Sequence, residues 1–205
     1  MILFGASGHS KVILDILISN GVKVDLIIDD HPKTREILGV AVEKNTVTDF
    51  DQEAIISIGN NHTRKIISGQ YPFHYQTALH PTAAISAFAA IGAGTVIMAQ
   101  AAINADVAIG LHCIINTGAV VEHDCKIGDF VHVSPNASLA GNVEVGEGAH
   151  IGIGASVIQG VRIGKWAVVG AGTVVIKDVP DFATVVGNPG KAIKINNHNN
   201  QLNER

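Results

Sequence analysis

From Leu79 onward the chain places an aliphatic side chain at every sixth residue, seventeen times in succession and without an insertion, from Leu79, Ile85 and Ile91 through to Val169 and Val175. Four residues beyond each of these stands a small or β-branched residue, as at Ala83, Thr95, Cys113, Ala137 and Thr173. Glycine often follows the aliphatic directly, as at Gly92, Gly110, Gly128, Gly146, Gly152, Gly164 and Gly170. A period of six suits neither the 3.6-residue turn of an α-helix nor a long antiparallel strand. It suits a short strand followed by a turn, three per coil, so that 18 residues close one triangular rung and each rung stacks about 4.8 Å above the last. The large aliphatic then points inward from each face, the small residue fills the tighter inward corner, and glycine near the turn is expected to supply backbone freedom. An ordinary sandwich would not hold one phase over so long a run. The fold predicted for 79–195 is therefore an all-β parallel β-helix.

Residues 1–78 carry no hexad. Ile2–Phe4 reads as a strand, Gly5-Ala6-Ser7-Gly8 as a tight turn, and His9–Asn20 as a helix with Val12, Ile13, Ile16 and Leu17 on one face. Val24–Ile28 reads as a second strand ending at Asp29-Asp30; Ala54–Ile58 is a third, running into Gly59-Asn60-Asn61 and a helix over His62–Ser68. This is a Rossmann-like α/β unit with a glycine turn at a helix N-terminus, a site suited to phosphate. Asp29 lies about 20 residues past the turn, where a carboxylate can reach a ribose or base. The segment lacks the full dinucleotide fingerprint, so a mononucleotide or nucleotide-sugar is favoured over NAD; a purely structural turn is the alternative. The Asn-rich segment 196–205 reads as a flexible tail.

Composition narrows the function classes. The net charge of −4 leaves no basic surplus for nucleic acid, and Lys and Arg form no run that would mark a membrane surface. The N-terminus lacks the basic start of a secretory signal, and no apolar stretch is long enough to span a bilayer. Two cysteines, Cys113 and Cys125, fall at inward small positions and read as core; a reducing cytoplasm is the expected compartment.

A prism of strands sets outward residues 18 apart in columns. His123 falls in the column Ala105, His123, Gly141, Gln159. Beside Asp124 its imidazole gains basicity and suits a general base, while Gly141 one rung above can offer an unobstructed N–H to an oxyanion. Asn116, which precedes the pair, is counted with it among the candidate catalytic residues. His132 and His150 form another column, open to three readings: a metal site, the lining of a cofactor groove, or a plain corner. No metal is expected.

Taken together, Gly5-Ala6-Ser7-Gly8-His9, Asp29-Asp30, Ile58-Gly59-Asn60-Asn61, Asn116-Thr117, Glu122-His123-Asp124, Phe130–Ser134, Ala140–Val143 and Val186–Pro189 resemble the PglD/NeuD-type sugar acyltransferases over residues 1 to about 193. The resemblance supplies the left-handedness of the coil, since parallel crossovers are ordinarily right-handed. It also implies a homotrimer with sites between adjacent coils. His123 then looks like the family's base, supported by Asp124 where closer members carry Glu, with Gly141 as oxyanion donor. Ser7, Gly8, His9, Asp29, Asp30 and Gly59 correspond to nucleotide-sugar contacts. His132, Ile153 and Ala171 fall where the family contacts acetyl-CoA; Ala171 replaces a glycine found in some members. The implied reaction is direct acetyl transfer to the 4-amino group of a UDP-linked amino sugar. GDP- or dTDP-linked 4-amino sugars of the perosamine type and sialic acid O-acetylation are the neighbouring alternatives. Outside this class stand an ice-binding prism, which needs Thr ladders the chain does not form, and an NAD-binding regulator.

Overall fold

The computed structural model describes residues 1–195; the tail expected over 196–205 lies outside them. The first part runs β1 (Ile2–Phe4), α1 (Gly8–Ser19), β2 (Leu26–Asp29), β3 (Glu36–Ile37), β4 (Val40–Lys44), β5 (Glu53–Ile56), α2 (Asn61–Gln70) and β6 (His74–Tyr75). These strands make one sheet in the order β3-β4-β2-β1-β5-β6. All pairings are parallel except β3 with β4. In the three central strands the aliphatic middles are buried on both sides, as in covered parallel sheets, while Leu26, Asp29 and Glu53 at the ends stay half-buried or exposed. The β3–β4 hairpin was not foreseen: its turn places Leu38 at φ 48 and Gly39 at φ 82, and a leucine there gives no Asn-Gly signal to read.

From Ala78 the chain coils. Three parallel sheets form the faces of a prism. The first face begins with Ala78–Leu79 and Val96–Ile97, the second with Ala84–Ile85 and Ala102–Ile103, the third with Ala90–Ile91 and Ala108–Ile109. Each two-residue strand pairs in parallel with the one 18 residues later, Val96 with Ile114 and Ile97 with Ile115, and the same offset holds on all three faces. The second residue of each strand turns inward. Those aliphatics and the small residues four places on, Cys113 and Cys125 included, make one continuous core. The last rung is shortened, because Val179 rather than residue 181 bridges to Ile163. An antiparallel hairpin of Ala183–Val186 and Lys191–Ile195 closes the first face.

One sequence expectation needs correction. The glycines that follow the aliphatic, such as Gly92, Gly110, Gly128, Gly146 and Gly164, do not adopt left-handed φ. They stack one per rung, and a Cβ would strike the rung above: 2.5 Å from the Gly110 carbonyl at Gly92, and 2.7 Å from the Glu147 nitrogen at Gly128. Close approach excludes a side chain there. Left-handed φ falls two residues later, where Gly94 and Gly148 share the role with Asp106, His112, Asp124, Phe130 and Trp166.

The first part is seated on the first face. Ile13, Leu14 and Leu17 of α1 share a core with Ala78, Val96, Met98 and Ile114, whose outward side chains are apolar for this reason. Farther along the same face the outward residues become His132 and His150.

Candidate active site

The turns between the first and second faces make a first edge, carrying Thr117, Ile153 and Ala171. The second edge carries Ala105, His123 and Gly141, and the third carries the column His112, Phe130, Gly148, Trp166.

On the second edge, His123 Nδ1 lies 2.7 Å from Asp124 Oδ2. With Asp124 ionised, Nδ1 carries the proton and Nε2 keeps its lone pair. That hydrogen bond raises the His123 pKa; desolvation opposes it, and the charges of Asp124 and Glu122 add smaller upward contributions. Asp124 holds left-handed φ at 62°, a conformation aspartate tolerates better than most side chains. Directly above is Gly141. A Cβ there would lie 2.7 Å from His123 Cε1 and 2.8 Å from Nε2, so glycine is what gives the ring its room. Among the described residues the Gly141 N–H makes no hydrogen bond. A base nitrogen and a free amide donor thus stand side by side on an exposed edge.

Asn116 is elsewhere. Its Nδ2 lies 3.0 Å from His132 Nε2 and its Oδ1 accepts the Thr117 N–H at 2.8 Å, so it belongs with the histidines of the first face rather than with His123. His132 meets His150 edge-on at 4.9 Å, and His150 Nε2 lies 3.1 Å from Ser134 Oγ. Burial, reinforced by the charges of His150, Arg64 and His9, pushes His132 down to about 3. Burial and Arg64 push His9 down to about 4 and also lower His150. These imidazoles are neutral at neutral pH, and His9 Nε2 and His132 Nδ1 are buried without a hydrogen-bond partner. His132 and His150 lie in the seam between the two halves of the chain. Among the described residues no three His, Cys, Asp or Glu side chains come together as a metal site.

Above that seam, Gly5 takes φ 115 against Ile58, and Ser7 begins α1 without capping it through its side chain. Asp29 braces the turn, one oxygen accepting the Ala6 N–H at 2.7 Å and the other the His31 N–H at 2.8 Å. Asp30 accepts from Asn45 Nδ2 at 3.0 Å. Ser7 and Gly8 line a cleft of about 410 Å³ with Lys11, Thr34, Glu36 and Leu38. Lys11 and the β3 residues were missed by sequence reasoning; only the position of Lys11 one turn into α1 hinted at it. Arg64 was missed as well. It is 1% exposed, and a lone arginine after Gly-Asn-Asn carries no motif.

The expected residues therefore form three groups: His123, Asp124 and Gly141 on the second edge, the exposed Ile153 and Ala171 on the first, and Ser7, Gly8, His9 and Gly59 over the first face with His132. Within one chain the first two groups are separated by a whole face of the prism.

A short-rung parallel β-helix bearing an α/β unit on one face, with a His–Asp pair under a glycine, defines a two-domain hexapeptide-repeat protein of the transferase type. Residues 1–71 match the PglD N-terminal domain family. A perosamine N-acetyltransferase variant from Caulobacter crescentus, solved with CoA and GDP-perosamine, is 40% identical, with 94% of this chain and 96% of that chain covered at a TM-score of 0.91. The acetyltransferase domain of PglB from Neisseria gonorrhoeae, solved with acetyl coenzyme A, is 34% identical over 94% of this chain and 98% of its own, at a TM-score of 0.87. UDP-N-acetylbacillosamine N-acetyltransferase of Bacillus subtilis is 43% identical over 108 residues, which are 47% of this chain; the match spans about half that relative's length. The chain belongs to the PglD-type family of sugar acyltransferases.

Proposed function

We propose that the protein transfers the acetyl group of acetyl-CoA to the 4-amino group of a UDP-linked amino sugar. The observation that carries this reading is the His123–Asp124 pair with its Nε2 beside the free Gly141 N–H. The sugar amine attacks the thioester carbonyl carbon while His123 Nε2 takes the amine proton, and Gly141 N–H stabilises the oxyanion. The C–S bond then breaks, and the imidazolium returns its proton to the departing CoA thiolate. No covalent enzyme intermediate is required, since both cysteines are buried.

Ser7, Gly8, His9 and Gly59 receive the nucleotide-sugar, the diphosphate lying at the N-terminus of α1. Asp29 and Asp30 shape that pocket. His132, Ile153 and Ala171 serve acetyl-CoA, and Asn116 acts with them through His132. Because Ile153 and Ala171 lie a face away from His123, the complete site joins the first edge of one copy to the second edge of the next, which a homotrimer achieves three times over. Relatives bound to CoA with a nucleotide-sugar, and to acetyl coenzyme A, support both co-substrates.

A second reading, a GDP-linked acceptor, is favoured by the 40% identity to the perosamine enzyme. Mass spectrometry of reactions with acetyl-CoA and UDP-, GDP- or dTDP-linked 4-amino sugars separates the two. Preferred acetylation of the UDP-linked sugar is expected, with turnover lowered about 10²–10⁴-fold in His123→Ala. Full activity in that variant would overturn the assignment.

A further inference from the structure

Arg64 is the largest side chain buried to within 2% of its surface, and none of its hydrogen bonds goes to a carboxylate. Nε donates to the His112 carbonyl at 2.7 Å, Nη2 to the Phe130 carbonyl at 2.9 Å and to Asn61 Oδ1 at 2.9 Å, and Nη1 to the Ile58 and Gly59 carbonyls at 3.0 and 3.2 Å. Asn61 in turn donates to the carbonyls of Gly148 and Ala149 at 3.1 and 3.2 Å. Desolvation lowers Arg64 to about 10, which leaves it charged at neutral pH.

His112, Phe130 and Gly148 stand 18 residues apart on the third edge, at φ 52, 60 and 69°. Their carbonyls accept no bond from the neighbouring rungs. Arg64 and Asn61 therefore read three successive rungs, while the other end of the same guanidinium grips the loop at Ile58–Gly59. A planar fork with five N–H groups can do this; an ammonium cannot cover the same carbonyls in fixed directions. Packing of α1 on the first face is apolar and only loosely directional. The Arg64–Asn61 ladder, reaching three rungs at once, fits only one register of the coil.

Resting on the function proposed above, we infer that Arg64 is a positioning residue: it registers the Gly59 loop on the coil and so fixes the height at which the nucleotide-sugar is presented. It touches neither substrate. The charge reinforces the role, because a buried cation with no carboxylate partner at the Gly59 loop favours an anionic ligand arriving nearby, and the same field helps hold His9, His132 and His150 neutral.

The test compares Arg64→Lys and Arg64→Gln with the parent protein. KM for the nucleotide-sugar, Kd for CoA by calorimetry and hydrogen exchange of the 58–60 amides are measured in each. The expected result is a rise in sugar KM of about tenfold or more in both variants. CoA affinity should stay within about twofold, exchange at 58–60 should be faster, and exchange in the rungs should be unchanged. Should Arg64→Gln fail to fold, Asn61→Ser, which loses the third-rung anchor without burying or removing a charge, is expected to raise sugar KM in the same sense. A parental sugar KM in Arg64→Lys, or equal losses for sugar and CoA, would overturn the inference. Failure of the parent protein itself to bind or acetylate any nucleotide-sugar would instead overturn the functional reading on which it rests.

Discussion

Asp124 fixes the tautomer of His123, and that has a measurable pH signature. As the proposed base, His123 works only when neutral, and its pKa lies above the ordinary histidine value because Asp124 accepts from Nδ1. Activity should accordingly rise with pH through that raised pKa. Asp124→Asn should move the acidic limb of the kcat/KM profile to lower pH and lower the plateau, since a less basic imidazole takes the amine proton less readily. A limb left in place would mean that another group titrates. Gly141→Ala puts a methyl 2.7 Å from the ring, so the imidazole must swing away. Turnover should fall about 10²-fold, the loss expected of a base displaced by about an ångström, with CoA affinity unchanged by calorimetry. His123 and Gly141 were legible in the sequence because a period of 18 aligns them. The partner of Asn116 was not, since the hexad gives an outward position but not the direction of a side chain relative to the next face.

At the scale of elements, the same residue type serves two ends within one hexad. Gly128→Ala would meet the backbone of the next rung at 2.7 Å and should destabilise the coil by about 1–3 kcal/mol through overpacking. Gly160→Ala meets nothing within 4 Å but must hold φ 70°, which costs about 1–2 kcal/mol of backbone strain. Chemical denaturation separates the causes: Gly160→Asn should recover most of its loss, because asparagine tolerates that φ, whereas Gly128→Asn should be worse than alanine. The coil was almost wholly readable, since identical rungs repeat one physical requirement seventeen times. The reason for its glycines was not, because sequence reports that a side chain is missing without saying whether dihedral or space excludes it. In residues 1–78 the central strands were legible as short apolar runs, with ends displaced by one or two residues. The β3–β4 hairpin was hidden by Leu38. Arg64 was hidden too, since its binding partners are main-chain carbonyls that any residue supplies.

For the whole molecule, the seam between the two halves carries its own pH dependence. His9 and His112 are lowered to about 4 and His132 to about 3, chiefly by burial. Each is neutral when folded and protonated below about 6.5 when unfolded, so the unfolded chain binds more protons between about 6.5 and 4. Stability is therefore fully present above about 6.5 and is lost as pH falls toward about 4. The melting temperature should drop by on the order of 5 °C or more across that window, and His132→Gln should flatten the dependence. Assembly has a separate test. His123→Ala and Ala171→Trp, each strongly impaired alone, should regain activity when co-expressed if the protein forms the proposed trimer, because a mixed trimer would contain one interface with both edges intact. Absence of recovery would place the complete site within a single chain.

The fixed offset of 18 residues also makes the edge a graduated scale. A group moved by one full rung in sequence is displaced by about 4.8 Å along the prism and meets the same local geometry, so the fold is indifferent to which graduation carries the chemistry. On the proposed reading the nucleotide-sugar is held over the first face, at a height that Arg64 registers against the rungs of His112, Phe130 and Gly148. Acceptors of different length can then be matched by sliding the reactive pair up or down the edge, with Gly141→His and Gln159→Gly as one step, and no new backbone has to be invented for it.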